Sequence, residues 1–141
     1  MRRGVVCGLL LYALMGCMAP ERAVVTDVDP AGWRYAATVE YRNRDTASMQ
    51  VLRLFLRLDD RFREDTLSVR VATLTPDSLR SEEVHRLVIH ARPTPTSLQR
   101  VVEIPYRRKA LLRQEGIYRF QITPTRGVEG VEAVGVKITN E

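Results

Sequence analysis

Cysteine is nearly absent: Cys7 and Cys17 are the only two among 141 residues. Beyond them no disulfide can form and no thiolate can act. Histidine is as scarce, with His85 and His90 alone. Five residues apart on an extended chain, these two point to opposite faces and cannot share a metal ion. Lysine is confined to Lys109 and Lys137, so arginine carries the basic charge. No apolar run approaches the roughly 20 residues of a membrane-spanning helix. There is no Ser-His-Asp arrangement, no paired-carboxylate motif and no glycine-rich phosphate loop. An enzyme is therefore not expected, nor a cofactor or a small-molecule substrate. The net charge of +5 is spread along the chain and gives little reason to propose nucleic acid.

What is present begins with targeting signals. Met1-Arg2-Arg3 is a short basic segment, and residues 5–15 are almost wholly apolar. That length suits the hydrophobic region of a signal peptide. It ends in Leu14-Met15-Gly16-Cys17, which resembles the bacterial lipobox. The expectation is cleavage before Cys17, with diacylglycerol on its sulfur and a further acyl chain, such as palmitate, on its amine. The bland alternative is a secretory signal that happens to contain a cysteine. Two acyl chains make a stable anchor, because each buried methylene contributes roughly 0.8 kcal/mol and one chain holds only marginally. Cleavage leaves 125 residues, enough for one domain with its own core.

Residues 1–16 are thus read as a signal peptide, 17–30 as a lipidated tether and 31–141 as the folded domain. Within the tether, residues 23–28 have the look of an edge strand. From Trp33 onward apolar residues recur with period two, the pattern of half-buried strands. Trp33, Tyr35, Ala37, Val39 and Tyr41 form one set, and Leu52, Leu54, Leu56 and Leu58 a second. Further sets fall at 67–71, 87–91, 100–105, 118–122 and 134–138. Residues 43–48 and 59–65 read as polar loops, and Pro93, Pro95, Pro105 and Pro124 as breaks in pairing. Two short stretches, 76–84 and 107–114, are candidate helices, the first capped by Asp77-Ser78. About seven strands separated by turns predict an all-β fold, an antiparallel Ig-like sandwich.

Several groups have side chains suited to chemistry. Asp59, Asp60, Glu64 and Asp65 have the oxygen donors of a calcium loop. Arg61 and Arg63 interrupt them, and a solvated hairpin tip is the simpler reading. Arg107-Arg108-Lys109 is the densest basic run, suited to anionic headgroups or an acidic partner, or to a charged loop. Trp33, Tyr35 and Tyr41 offer a sugar-stacking platform, yet their shared apolar register favours core packing.

A family pattern overlies these features. Ala31-Gly32-Trp33 follows the lipobox, and the last third reads Gly116-Ile117-Tyr118-Arg119-Phe120, Arg126, Gly130-Val131 and Val134-Gly135-Val136-Lys137-Ile138. This resembles the GldH family of gliding-motility lipoproteins from Bacteroidetes. The middle, residues 73–95, departs from the family by lacking a glycine- and tryptophan-containing stretch. The resemblance implies a non-enzymatic accessory lipoprotein of a gliding-motility or associated protein-secretion complex, on the periplasmic side of the outer membrane. It implies envelope proteins as partners and no catalytic residues. Cys17 is the anchor, and Trp33, Gly116, Tyr118, Phe120, Gly130 and Gly135 are framework positions. Arg126 is a partner contact or an internal salt bridge. The rival expectation is a surface binding module for glycan or host protein.

Overall fold

A computed structural model describes residues 22–90 and 99–141. They form eight strands, and no helix occurs among them: β1 (Arg22–Asp27), β2 (Ala37–Asn43), β3 (Gln50–Asp59), β4 (Thr66–Leu74), β5 (Arg80–Val88), β6 (Gln99–Ala110), β7 (Gly116–Pro124) and β8 (Val131–Asn140). One sheet has the order β1-β8-β3-β6 and the other β2-β7-β4-β5, all antiparallel. The expected antiparallel sandwich is therefore present, with one strand more than the period-two sets number. That strand is β1, which lies inside the segment read as a tether.

The pairing is nested. First pairs with last (β1·β8), then β2·β7, β3·β6 and β4·β5. The chain is in effect one long hairpin with its tip at β4–β5. Rolled up, it brings β3 against β8 and β4 against β7. This is the double-Greek-key connectivity of a jelly roll. It shares the two-sheet architecture of immunoglobulin domains but not their strand order.

The inner faces carry the apolar registers. Leu54, Leu56, Leu58, Val134 and Val136 from one sheet meet Val69, Val71, Phe120 and Ile122 from the other, all essentially inaccessible. Each such side chain contributes about 2 kcal/mol by leaving water. Phe55 falls on the outward register of β3, half-buried.

Both candidate helices are corrected. Pro76-Asp77-Ser78 is the β4–β5 turn, with Ser78 at φ 67° and its N–H donating to the Thr75 carbonyl at 2.9 Å. Residues from Arg80 onward are β5, whose backbone pairs along all of β4. Pairing with a neighbour outweighs a weak local propensity, and Glu82 reaches across to Arg70 at 2.9 Å. The second stretch is the end of β6, to Ala110, followed by the β6–β7 connection, so Arg107-Arg108-Lys109 lies in a strand and not in a loop. Register shifts against β3 bulge this end, and Lys109 has φ 52°, which no α-helix tolerates. Pro105 sits within β6 opposite Arg53. That is permitted because β6 is an edge strand and needs donors on one side only.

The set beginning at Trp33 is also corrected. Trp33 is buried and makes an isolated bridge to Val128, but regular pairing starts only at Ala37. The indole N–H donates to the Tyr35 carbonyl at 2.8 Å. The chain turns there, and the Tyr35 side chain is left 80% exposed.

Candidate functional site

Strand direction sorts the loops into two ends. Arg22 opens β1 opposite Ile138, and Gln50 opens β3 opposite Asn140. The β2–β3, β4–β5 and β6–β7 connections therefore gather at the Arg22 end with the carboxyl terminus. The β1–β2, β3–β4 and β7–β8 connections gather at the other.

The residues singled out from sequence divide between these ends and the core. Cys17, with Leu14, Met15 and Gly16, lies outside the described residues, as do Pro93 and Pro95. Phe120 is a fully buried core residue. Trp33, Arg126 and Gly130 lie at the end away from Arg22. Trp33 and Val128 exchange backbone bonds at 2.9 Å, and the Gly130 N–H donates to the Pro30 carbonyl at 2.8 Å. Gly130 has φ 85°, and a Cβ there would meet the Phe62 backbone nitrogen at 2.1 Å. Arg126 pairs with Glu64 at 2.7 Å, so the internal ion pair is formed. Gly135 faces Val25 of β1 on one side and Phe55 of β3 on the other. Gly116 and Tyr118 open β7 at the Arg22 end, where the Tyr118 hydroxyl accepts from the Gln114 N–H at 3.2 Å. These positions do not converge on one site.

At the 59–65 hairpin tip, Arg61 occupies the Asp59 carboxylate. The buried Asp59 carboxylate accepts from the Arg61 backbone at 2.9 Å and from its guanidinium at 2.6 Å. That hydrogen bond holds the Asp59 carboxyl below its ordinary range. Among the described residues no cluster of His, Asp or Glu is arranged to hold a metal ion. His85 is half-buried on β5, and His90 is exposed beyond its end. Of the three aromatics, Trp33 and Tyr41 pack in the core as expected, while Tyr35 is exposed, and no sugar-stacking platform forms from them.

The residues that do converge lie at the Arg22 end. A cleft of about 510 Å³ opens there between the sheets. Its apolar floor includes Leu52, Leu112 and Tyr118, and Thr73 and Ser81 add hydroxyls. Arg107, Lys109 and Arg113 stand along it. Beside it, Glu83 of β5 pairs with Arg107 of β6 and with His85 at 3.0 Å, tying the edges of the two sheets together. The His85 ring meets Tyr106 edge-on, with centroids 5.2 Å apart. Chemically this end offers cations, hydroxyls and apolar surface, the means of holding an anionic or amphipathic partner.

Two polar residues at this end escaped the sequence reading. Asn43, read as the start of a loop, ends β2 and is fully buried. The signal was available, since Ala37, Val39, Tyr41 and Asn43 continue one inward register. Tyr106 is the other. Its hydroxyl is buried without a hydrogen-bond partner among the described residues, and burial pushes the phenol well above its ordinary pKa. Tyr106→Phe is therefore expected to stabilise the fold by about 1 kcal/mol, because an unpaired buried hydroxyl costs more than it returns. A raised denaturation midpoint at unchanged slope would show this; a lowered midpoint would mean the hydroxyl has a partner.

Comparison with known proteins adds no relative. No family model matches the chain, and neither a curated protein nor a solved structure does.

Proposed function

We propose that this protein is a lipid-anchored component of the bacterial cell envelope that acts by holding other proteins rather than by catalysis. In the reading favoured by the pattern from Gly116 to Ile138, it is an accessory lipoprotein of a gliding-motility or associated secretion complex, facing the periplasm. The observation that carries the proposal is how close to Cys17 the first described strand lies. β1 starts five residues after Cys17 and is paired to β8 along its whole length, from Arg22 to Asp27. A lipid on Cys17 would thus be joined almost directly to the sheet. The ion-paired outer surfaces suit a scaffold: Glu40–Arg119 on one sheet, Lys137–Glu103 and Arg57–Glu132 on the other.

A surface module that recognises glycan or host protein is the second reading. It has less to draw on, because the aromatic side chains suited to stacking on sugars are mostly in the core. Mass spectrometry of the mature amino terminus tests the anchor, with the expected result an acylated Cys17. An unmodified terminus on a freely soluble product would refute it. Mild cross-linking in cells, followed by purification, tests the role. Recovery of envelope proteins is expected together with resistance of the domain to protease added outside intact cells. Degradation by that protease would favour the second reading.

A further inference from the structure

We infer that the Arg22 end of the sandwich is a bilayer-facing surface that rests on anionic phospholipid headgroups. The inference rests on the lipid anchor proposed above, and it fixes how the anchored domain stands. The five residue steps from Cys17 to Arg22 span at most about 18 Å even when fully extended. The ten residues of β3 span roughly 33 Å from one end of the sandwich to the other. An anchor that short brings the Arg22 end to the membrane and leaves the opposite loops turned away from it.

Charge supports the same orientation. Arg42, Arg44, Arg108, Lys109 and Arg113 are all exposed at the Arg22 end. None of them is in an ion pair within the described residues. Two acids at this end are engaged in their own turns. Asp45 accepts from the Ala47 and Ser48 N–H groups at 3.0 and 2.9 Å, and Asp77 accepts from the Thr75 hydroxyl. The opposite end is different: its exposed Arg34 and Arg63 stand among the equally exposed Asp29, Asp60, Asp65 and Glu129, and its other arginines include several in ion pairs. Arg61 pairs with Asp59, Arg126 with Glu64, and Arg57 with both Asp27 and Glu132. Against these five cations the same end exposes the acids Glu115 and Glu141, so positive charge is in excess at the end the anchor enters.

Apolar side chains complete the surface. Met49, Leu79 and Ile117 are 51%, 64% and 41% exposed, each at or beside a different connection of that end. Exposed apolar tips among unpaired cations are the composition of an interfacial membrane contact, in which apolar groups enter the headgroup layer and cations meet phosphate.

The near-absence of cysteine makes the test direct. Thr46→Cys places a thiol at the Arg22 end, and Asp60→Cys one at the opposite end; both positions are exposed. The full, lipidated protein carrying either change is labelled with a fluorophore. It is then reconstituted into phosphatylethanolamine–phosphatidylglycerol vesicles containing a headgroup-level quencher. Severalfold stronger quenching at position 46 than at 60 is expected, and the contrast should weaken when phosphatidylcholine replaces the anionic lipid. Neutralising Arg42, Arg44 and Arg113 to Gln should weaken it likewise, since each cation near an anionic surface changes binding by about fivefold. The parent chain separates the two levels of the argument. If its sulfur at position 17 accepts the label, the anchor and this inference fall together. If that sulfur is blocked and positions 46 and 60 are quenched equally, or 60 more, the inference alone is overturned. The basic end would then be a surface for an acidic protein.

Discussion

Gly135→Ala is expected to detach β1 from the sheet at a cost of about 3 kcal/mol or more. A Cβ at position 135 would lie 2.1 Å from the Val24 carbonyl oxygen and 2.8 Å from the Val25 Cα. Both neighbours are backbone, so no rotamer change relieves the overlap. One of the flanking strands must move. β3 is paired on both sides and lies across the centre of the sheet, whereas β1 is a six-residue edge strand whose residues are only half-buried or exposed. β1 therefore yields first. Hydrogen exchange should show the amides of β1, and those of β8 that donate to it, losing protection while β3 keeps its own. Gly32→Ala is the matched control, because nothing lies within 4 Å of a Cβ there. Equal midpoints for the two variants would mean that the β1–β8 contact is looser than its geometry. The prediction also bears on the anchor. A detached β1 adds six residues of slack between Cys17 and the core, and the contrast between labels at positions 46 and 60 should fade with it.

Much of this fold was legible in the sequence, for a physical reason. A strand with one buried face writes its burial into alternate residues, and β2, β3, β4, β7 and β8 all do so. β5 and the end of β6 do not. Glu83 and His85 occupy inward positions of β5 but are polar, because they lie at the open side of the sandwich where Arg107 and Tyr106 meet them. With the apolar alternation interrupted, a charged stretch with scattered leucine and valine looks helical. The overreach at Tyr35 has the opposite cause. Alternation ran on past the point where pairing ends, since Trp33 is buried by a single bridge and not by a strand.

Strand order was not legible at all. No local pattern encodes that β3 lies between β8 and β6, because a nested roll and an immunoglobulin-type sandwich ask the same alternation of each strand. The same holds for the candidate site. Arg107 and Arg113 are separated in sequence and line one cleft only because of how the connections fall at one end. Composition alone pointed to a weak, dispersed positive charge. The fold sorts it, placing five exposed cations without ion pairs at one end and balancing the basic residues of the other with acids.

The organisation of that basic end depends on one amide, and removing it should have the second large effect. Asn43 is fully buried. Its Nδ2 donates to the Leu112 carbonyl at 3.0 Å and the Gln114 carbonyl at 2.9 Å, and its Oδ1 accepts from the Asp45 N–H at 3.3 Å. One side chain thereby joins the end of β2 to the β2–β3 and β6–β7 connections. Asn43→Ala would leave two carbonyls without their donor, at a cost of about 2–4 kcal/mol. Asn43→Asp keeps the shape and is more telling. A carboxylate has no hydrogen to give, and it would face two carbonyl oxygens out of reach of water. The charged form is disfavoured there, so the folded-state pKa of the new acid must lie above its unfolded value. A group raised in that way is protonated more readily in the fold, and stability rises as pH falls through the folded pKa. Once protonated, the acid can donate to one of the two carbonyls. The Asp variant should therefore be strongly destabilised near neutral pH and recover part of the loss on acidification, a recovery that Asn43→Ala cannot show. Denaturation midpoints of both variants across pH measure the difference. A gap between Asp and parent that stays constant as pH falls would mean the site is open to water. In that case the two connections are not fastened by Asn43, and the arrangement of cations at this end has another source.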